Sequence, residues 1–229
     1  MSRSTRRMDD RSAPRARGRF ASAVAVSVML LAGGPPTRAE EAARAVIANA
    51  ESSAPVSPLQ GARLVSMLRR GGYVVYFRHM ATDHSKSDSG MKDYADCENQ
   101  RPLSAQGKRE ATEVGRTLRA LQLAAGEVLA SPYCRTMDHA RLMFGHATPR
   151  AEIREADAGD YAGLKRLLAS PVPPGRNRWI VGHGNPFRAV AGPPHLAEGE
   201  AAVIEPGTSG WTVVARIDVR DWQALAAAS

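Results

Sequence analysis

Two histidines and two arginines in this chain stand where the strands of an α/β sheet would end. Arg78 and His79 follow the apolar run Tyr73–Phe77, Ser131 and Arg135 follow Val128–Ala130, Glu155 comes just after Ile153, and His183 follows Arg178–Gly182. Ligands of open α/β sheets bind beyond the carboxyl ends of the strands, so this pattern sends the side chains to one crevice. The guest that suits them is a phosphate dianion. Guanidinium groups match its oxygens bidentately, and an imidazole can act as nucleophile or as charged donor.

The elements that position these residues follow from local pattern. Apolar residues at helical spacing over Leu59–Arg70 stop at Gly71-Gly72, a helix C-terminal signal. The β-branched and aromatic run Tyr73–Phe77 has the character of a strand buried on both faces in a parallel sheet. A helix is predicted over Ser104–Leu121, opened by the capping sequence Leu103-Ser104-Ala105-Gln106-Gly107, and another from Pro132 to about Phe144. Val128–Ser131 reads as a short strand, Ile153 as part of another, Tyr161–Leu168 as a brief helix and Arg178–Gly182 as a third strand. Ala201–Ile204 and Trp211–Ile217, separated by Pro206-Gly207 and Gly210, read as an antiparallel edge hairpin. Strands alternating with helices predict a three-layer α/β/α domain with a mostly parallel central sheet.

Four segments carry a resemblance to a known family. Arg78-His79-Met80-Ala81-Thr82 is similar to the RHG-x-T signature of the histidine phosphatase superfamily. Pro102-Leu103-Ser104-Ala105-Gln106-Gly107 is similar to its P-L-T/S-x-x-G helix start, Ser131–Arg135 to its S-x-x-x-R segment, and Val181-Gly182-His183-Gly184 to its second-histidine motif. They occur in the family's order over roughly residues 58–219. His183-Gly184, in place of a His-Asp pair, resembles the phosphoglycerate-mutase-like branch rather than the acid phosphatase branch.

The resemblance implies a phosphoglycerate-mutase-like fold and hydrolysis of a phosphomonoester through phosphohistidine on His79. It further implies that Arg78, Arg135, Thr82 and His183 hold the phosphate, with no metal and no cofactor. Two arginines and an imidazolium would cancel charge on the three oxygens. His79 must be neutral to attack while His183 is more useful protonated, so their environments are expected to push their pKa values apart. Glu155, four residues before Gly159, fits the family's proton donor, with Asp157 as the runner-up; partial burial would favour the protonated acid. The short segment between Glu155 and His183 leaves little cover against water, which favours hydrolysis over mutase chemistry.

Two positions depart from the family. Met80 replaces the signature glycine, so the loop either keeps an ordinary conformation with Met80 lining the pocket mouth, or the site is altered. The altered case keeps open a second reading, a catalytically weak protein that binds phosphate or a phosphosugar in the same pocket. His139 replaces the usual threonine after the second arginine and is expected to face solvent. His84, His146 and His195 read as surface residues, Arg101 as either a rim residue or a solvated one, and Trp179 and Trp211 as packing residues rather than a nucleotide platform.

The formal net charge of +8 suggests an anionic polymer or membrane as partner, until it is located along the chain. Residues 1–39 hold eight arginines against two aspartates, so about +2 remains for the rest. A nucleic-acid partner is therefore not expected; a small phosphorylated substrate is. The Arg-rich start, the apolar run Phe20–Ala32 and the small residues before Ala39 have the order of a secretory signal peptide. An uncleaved anchor or a cytoplasmic tail are the alternatives, the run being short for a membrane span. The expected organisation is signal peptide 1–39, linker 40–57 and phosphatase domain 58–229, with a periplasmic or secreted mature protein that has no membrane attachment. Cys97 and Cys134 either pair in an oxidising compartment or pack as separate thiols.

Overall fold

The computed structural model describes residues 61–155 and 160–227. The predicted signal peptide and linker lie outside these residues, as does Asp157. The elements in chain order are α1 (Gly61–Arg70), β1 (Val74–Arg78), α2 (Ala105–Ala120), β2 (Ala125–Ala130), α3 (Cys134–Phe144), β3 (Thr148–Pro149), α4 (Ala162–Ala169), β4 (Asn177–Gly182), α5 (Gly184–Ala191), β5 (Ala201–Gly207), β6 (Gly210–Ile217) and α6 (Asp221–Ala227), with single 3-10 turns at Cys97–Asn99 and Ala151–Ile153.

One six-stranded sheet runs in the order β3-β2-β4-β1-β5-β6. The first four strands are parallel, β5 lies antiparallel to β1, and β6 closes an antiparallel hairpin at the edge. Alternation along each strand then divides the core. Val75, Phe77, Trp179, Val181 and Val203 face a cluster completed by α1, α2, α3 and α6, whereas Val74, Tyr76, Ile180, Ala202 and Ile204 face one completed by α4 and α5. These are the three expected layers. Residues of β1 are buried on both sides, which is why Val74–Phe77 is continuously apolar rather than alternating.

The α2 start couples the core to the loop after β1. Ser104 caps the helix by accepting from Gly107 N at 3.0 Å, donates from its hydroxyl to Ala81 O at 3.1 Å, and bonds the same carbonyl from its backbone N–H at 2.9 Å.

Three local features differ from expectation. Ile153 lies in a 3-10 turn, and the strand of this region is the two-residue β3 upstream. After β3 the amides of Ile153 and Arg154 bond back to Arg150 O and Ala151 O, so Ile153 is apolar because it is buried, not because it is in a strand. Helix α5 was not anticipated, since its first turn, Gly184-Asn185-Pro186, carries loop-forming residues that a helix tolerates only there. Helix α6 buries Trp222 and Leu225, with Ala226 packed alongside, too few positions for a periodic signal.

Candidate active site

Three adjacent strands deliver the central residues. Arg78 of β1 is in register with Gly182 of β4, His79 N bonds Gly182 O at 2.9 Å, and Ser131 N bonds Val181 O at 3.0 Å. The carboxyl ends of β1, β4 and β2 therefore present His79, His183 and Ser131 side by side. Arg135, one turn into α3, joins them. A pocket of roughly 230 Å³ is lined by Arg78, His79, Arg135 and His183, together with Asp88, Arg101, Arg154, Asn185 and His195.

His79 is 3% exposed, and its Nδ1 lies 2.9 Å from Met80 O. Only a protonated Nδ1 can bond a carbonyl, so the neutral ring keeps its lone pair on Nε2. Burial lowers the His79 pKa to about 4; the Met80 carbonyl opposes this, Arg135 adds to it, and Glu198 and Arg78 act in opposite directions. Met80 itself is buried in the core with no positive φ. The loop thus keeps the ordinary conformation expected of it, but Met80 does not line the pocket mouth: its side chain fills the core, and only its carbonyl serves the site.

His183 is held at both backbone and ring. Tyr76 Oη donates to His183 O and accepts from His183 N, each at 2.9 Å, and His183 Nε2 is 2.9 Å from Ser131 Oγ. Tyr76 reaches this position by passing over Gly182, where any Cβ would collide with its hydroxyl. The His183 pKa also lies well below the ordinary value, through burial first and then Arg135 and His79. The two histidines, 5.6 Å apart between ring centres, are therefore pushed in the same direction, not apart. One buried, arginine-rich pocket disfavours a proton on either ring.

Arg135 is 4% exposed, with Nη1 at 2.9 Å from Asp88 Oδ1 and 3.4 Å from Arg101 O, and its guanidinium lies 4.5 Å over the Tyr133 ring. Arg78 is anchored by a 2.7 Å bond to Leu196 O and stands 3.6 Å from Glu198.

Two predicted residues stand elsewhere. Thr82 is absent from the pocket wall because its hydroxyl donates to Glu198 Oε1 at 3.0 Å and so positions the carboxylate beside Arg78. Glu155 is exposed rather than partly buried, and accepts a hydrogen bond from Tyr94 Oη at the rim, next to the wall residue Arg154. His139 also departs from expectation. It is fully buried, edge-on to Phe77 at 5.6 Å, with neither ring nitrogen partnered among the described residues, and burial followed by His79 lowers its pKa to about 3. Its place was legible, since Arg135, Thr136, His139, Ala140 and Met143 form the inward face of α3.

Several site residues escaped sequence reading. His195 belongs to the pocket wall: Nδ1 is 2.8 Å from Leu196 O and 3.3 Å from Arg78 Nη1, and Nε2 is 3.1 Å from Asn185 Oδ1. The Cε1 edge of the ring abuts Gly184, where a Cβ would overlap it. Asp88, Arg154 and Asn185 were likewise unforeseen, and Arg101 takes the rim position that was one of its two readings. Cys97 and Cys134 are bridged, with Cα atoms 5.7 Å apart. The bridge ties the segment bearing Asp88, Tyr94 and Arg101 to the start of α3. Gln100 reinforces it by accepting from Cys134 N at 2.9 Å and donating to Tyr94 O at 3.1 Å.

Among curated proteins none matches the chain. Solved structures that resemble it include a protein histidine phosphatase SixA complexed with tungstate (16% identity, covering 65% of this chain and 98% of that one, TM-score 0.49). Another is a phosphoglycerate mutase from Bacillus anthracis (14%, 70% and 99%, TM-score 0.48). A third is a mycobacterial glucosyl-3-phosphoglycerate phosphatase with inorganic phosphate (15%, 65% and 99%, TM-score 0.45). The family model of the histidine phosphatase superfamily, branch 1, matches residues 74–193, more than half of the sequence and the span that runs from β1 past the second histidine. The chain belongs to the histidine phosphatase superfamily, branch 1.

Proposed function

We propose that this protein hydrolyses a phosphomonoester through a phosphohistidine on His79. The observation that carries the reading is the fixed tautomer of His79, whose Nδ1 is committed to Met80 O while Nε2 shares a pocket with Arg78, Arg135 and His183. In the first step the Nε2 lone pair attacks phosphorus, the N–P bond forms as the ester P–O bond breaks, and the leaving oxygen takes a proton. In the second, water oxygen attacks phosphorus, the N–P bond breaks, and phosphate and neutral His79 are released. Arg78 and Arg135 meet the charge on the transferring oxygens. A dianion between the two rings favours protonation, so His183 gains its proton with substrate and becomes a charged donor.

Glu155 is the group we assign to the leaving oxygen. Its protonated carboxyl gives the proton in the first step, and its carboxylate takes one from water in the second. Tyr94 holds it at the rim, where the ester group emerges past Arg154. The reading calls on no metal, because guanidinium groups supply the positive charge. Met80, the position that keeps a binding-only reading open, orients His79 through its carbonyl, which supports the hydrolase reading. The Arg-rich and apolar N-terminus and the Cys97–Cys134 bridge both favour an exported protein in an oxidising compartment.

The test is hydrolysis of 4-nitrophenyl phosphate in EDTA by the parent and by His79→Ala. Metal-free turnover abolished by the substitution supports the reading; equal rates in the two proteins contradict it.

A further inference from the structure

The turn that leads into β5 is fastened to the nucleophile loop. Arg78 N donates to Glu200 O and Gly199 N donates to His79 O, each at 3.0 Å, and Glu200 is itself paired with Arg216. Gly199 has a φ of +81°, and any Cβ there would run into Met80 Sδ. The turn can therefore close over the side chain that replaces the signature glycine.

This turn brings the half-buried Glu198 against four side chains of the loop. Its Oε1 accepts from Thr82 Oγ1 at 3.0 Å and lies 3.6 Å from Arg78 Nη2 and 3.9 Å from His79 Nδ1, while Oε2 is 4.0 Å from Nε2 of the exposed His84. A separation of 3.9 Å is too long for a hydrogen bond, and Nδ1 is already committed to Met80 O, so Glu198 acts on His79 through charge. Arg78 of β1 and Arg135 of α3 oppose a positive charge on the ring, as burial does, and His183 and His139 oppose it whenever either is protonated. Glu198 is the charged group that favours it.

Hydrolysis through His79 puts that charge on the ring. Nδ1 keeps its hydrogen while Nε2 gives its lone pair to phosphorus and the ester oxygen leaves with the P–O electron pair. The phosphorylated ring is then an imidazolium until the N–P bond breaks and the pair returns to Nε2. A carboxylate behind an imidazole stabilises such a cation. We propose that Glu198 is a positioning residue for the nucleophile, whose carboxylate answers the positive charge that His79 carries while it holds the phosphoryl group. This rests on the hydrolase reading above, and Glu198 acts through His79 rather than on the substrate.

The test is Glu198→Gln in the full chain, which keeps an oxygen for Thr82 and removes the charge. Rapid-quench single turnovers with 4-nitrophenyl phosphate separate phosphorylation of the protein from its dephosphorylation. Phosphorylation at saturating ester is expected to slow on the order of tenfold, the scale of one partly screened charge at this distance. Dephosphorylation is not slowed, and the half-saturating ester concentration does not rise, because a negative charge near the dianion has been removed. An unchanged phosphorylation rate, or equal slowing of both steps with a raised half-saturation, overturns the proposal. Calorimetry with two anions reads the same charge without turnover. Orthovanadate takes the His79 nitrogen as a fifth ligand and leaves the ring cationic, whereas sulfate forms no bond to it. Glu198→Gln is expected to weaken vanadate on the order of tenfold and to leave sulfate as tight or tighter. Parallel losses for both anions, or no loss for vanadate, overturn the proposal. Absence of turnover in the parent would count against the hydrolase reading and leave the vanadate comparison to decide the role of Glu198.

Discussion

Arg135 Nη1 and Arg101 N converge on one oxygen, Asp88 Oδ1, at 2.9 and 2.8 Å. Burial would raise the Asp88 pKa, but these bonds outweigh it and hold the carboxyl below its ordinary range, so a negative charge stands in the wall of a phosphate pocket. The arrangement orders Arg135 and, on the proposed function, sets a negative charge beside the departing phosphate.

Replacing Asp88 by Asn keeps an oxygen for both donors and removes that charge. Inorganic phosphate is expected to inhibit Asp88→Asn more strongly than the parent, by roughly 5- to 10-fold, the scale of one screened charge at this range. Competitive inhibition constants at fixed ionic strength check it. Weaker inhibition would mean that Asp88 chiefly orders Arg135.

The Cys97–Cys134 bridge spans a sequence separation of 37 and carries one wall of the pocket. Removing both cysteines is expected to cost about 3–4 kcal/mol by chain entropy. It should also raise KM, because Asp88 and Arg101 lose their tether. Denaturant titration and kinetics of Cys97→Ser/Cys134→Ser, with the parent under dithiothreitol as a second arm, test both parts. Lost stability with an unchanged KM would show the bridge to be structural only.

His139 gives a pH signature. It stays neutral in the fold, with a pKa of about 3 against 6.5 when exposed, so below pH 6.5 the unfolded chain takes up a proton that the folded chain refuses. Stability is therefore lost as pH falls through that window. His139→Leu is expected to lessen the loss between pH 6.5 and 5 by about 1–2 kcal/mol. It also removes two unpartnered buried nitrogens. Urea unfolding at both pH values is the measurement, and an unchanged difference between them would contradict the assignment.

If Glu155 serves the leaving oxygen, its effect depends on how much the leaving group needs a proton. Glu155→Gln is expected to slow hydrolysis of an alkyl phosphate by about 100-fold or more and that of 4-nitrophenyl phosphate far less. Equal losses on the two esters would place Glu155 in a structural role beside Tyr94.

What the sequence revealed was governed by chain-local physics. The strands that present His79 and His183 carry the apolar runs Val74–Phe77 and Trp179–Val181, and the cap at Ser104 is a local hydrogen bond, so both could be read directly. Residues brought in by loops could not. His195 reaches Arg78 across a sequence separation of 117 and sits where it does because Gly184 has no side chain, a relationship that no spacing encodes. Thr82 matched a motif, yet its hydroxyl found a nearer partner in Glu198. The His139 misreading came from a different source, since the helical period placed it inward and only its polar type argued for solvent.

The central claim is covalent chemistry at His79, and the most direct measurement is the phosphoenzyme itself. The parent is mixed with an aryl phosphate, quenched in alkali within the first turnovers, digested and mapped by mass spectrometry. The account predicts alkali-stable, acid-labile phosphate on the peptide bearing His79, and none in His79→Ala. Steady turnover in the parent with no phosphate on His79 under rapid quenching, or turnover surviving in His79→Ala, would contradict it.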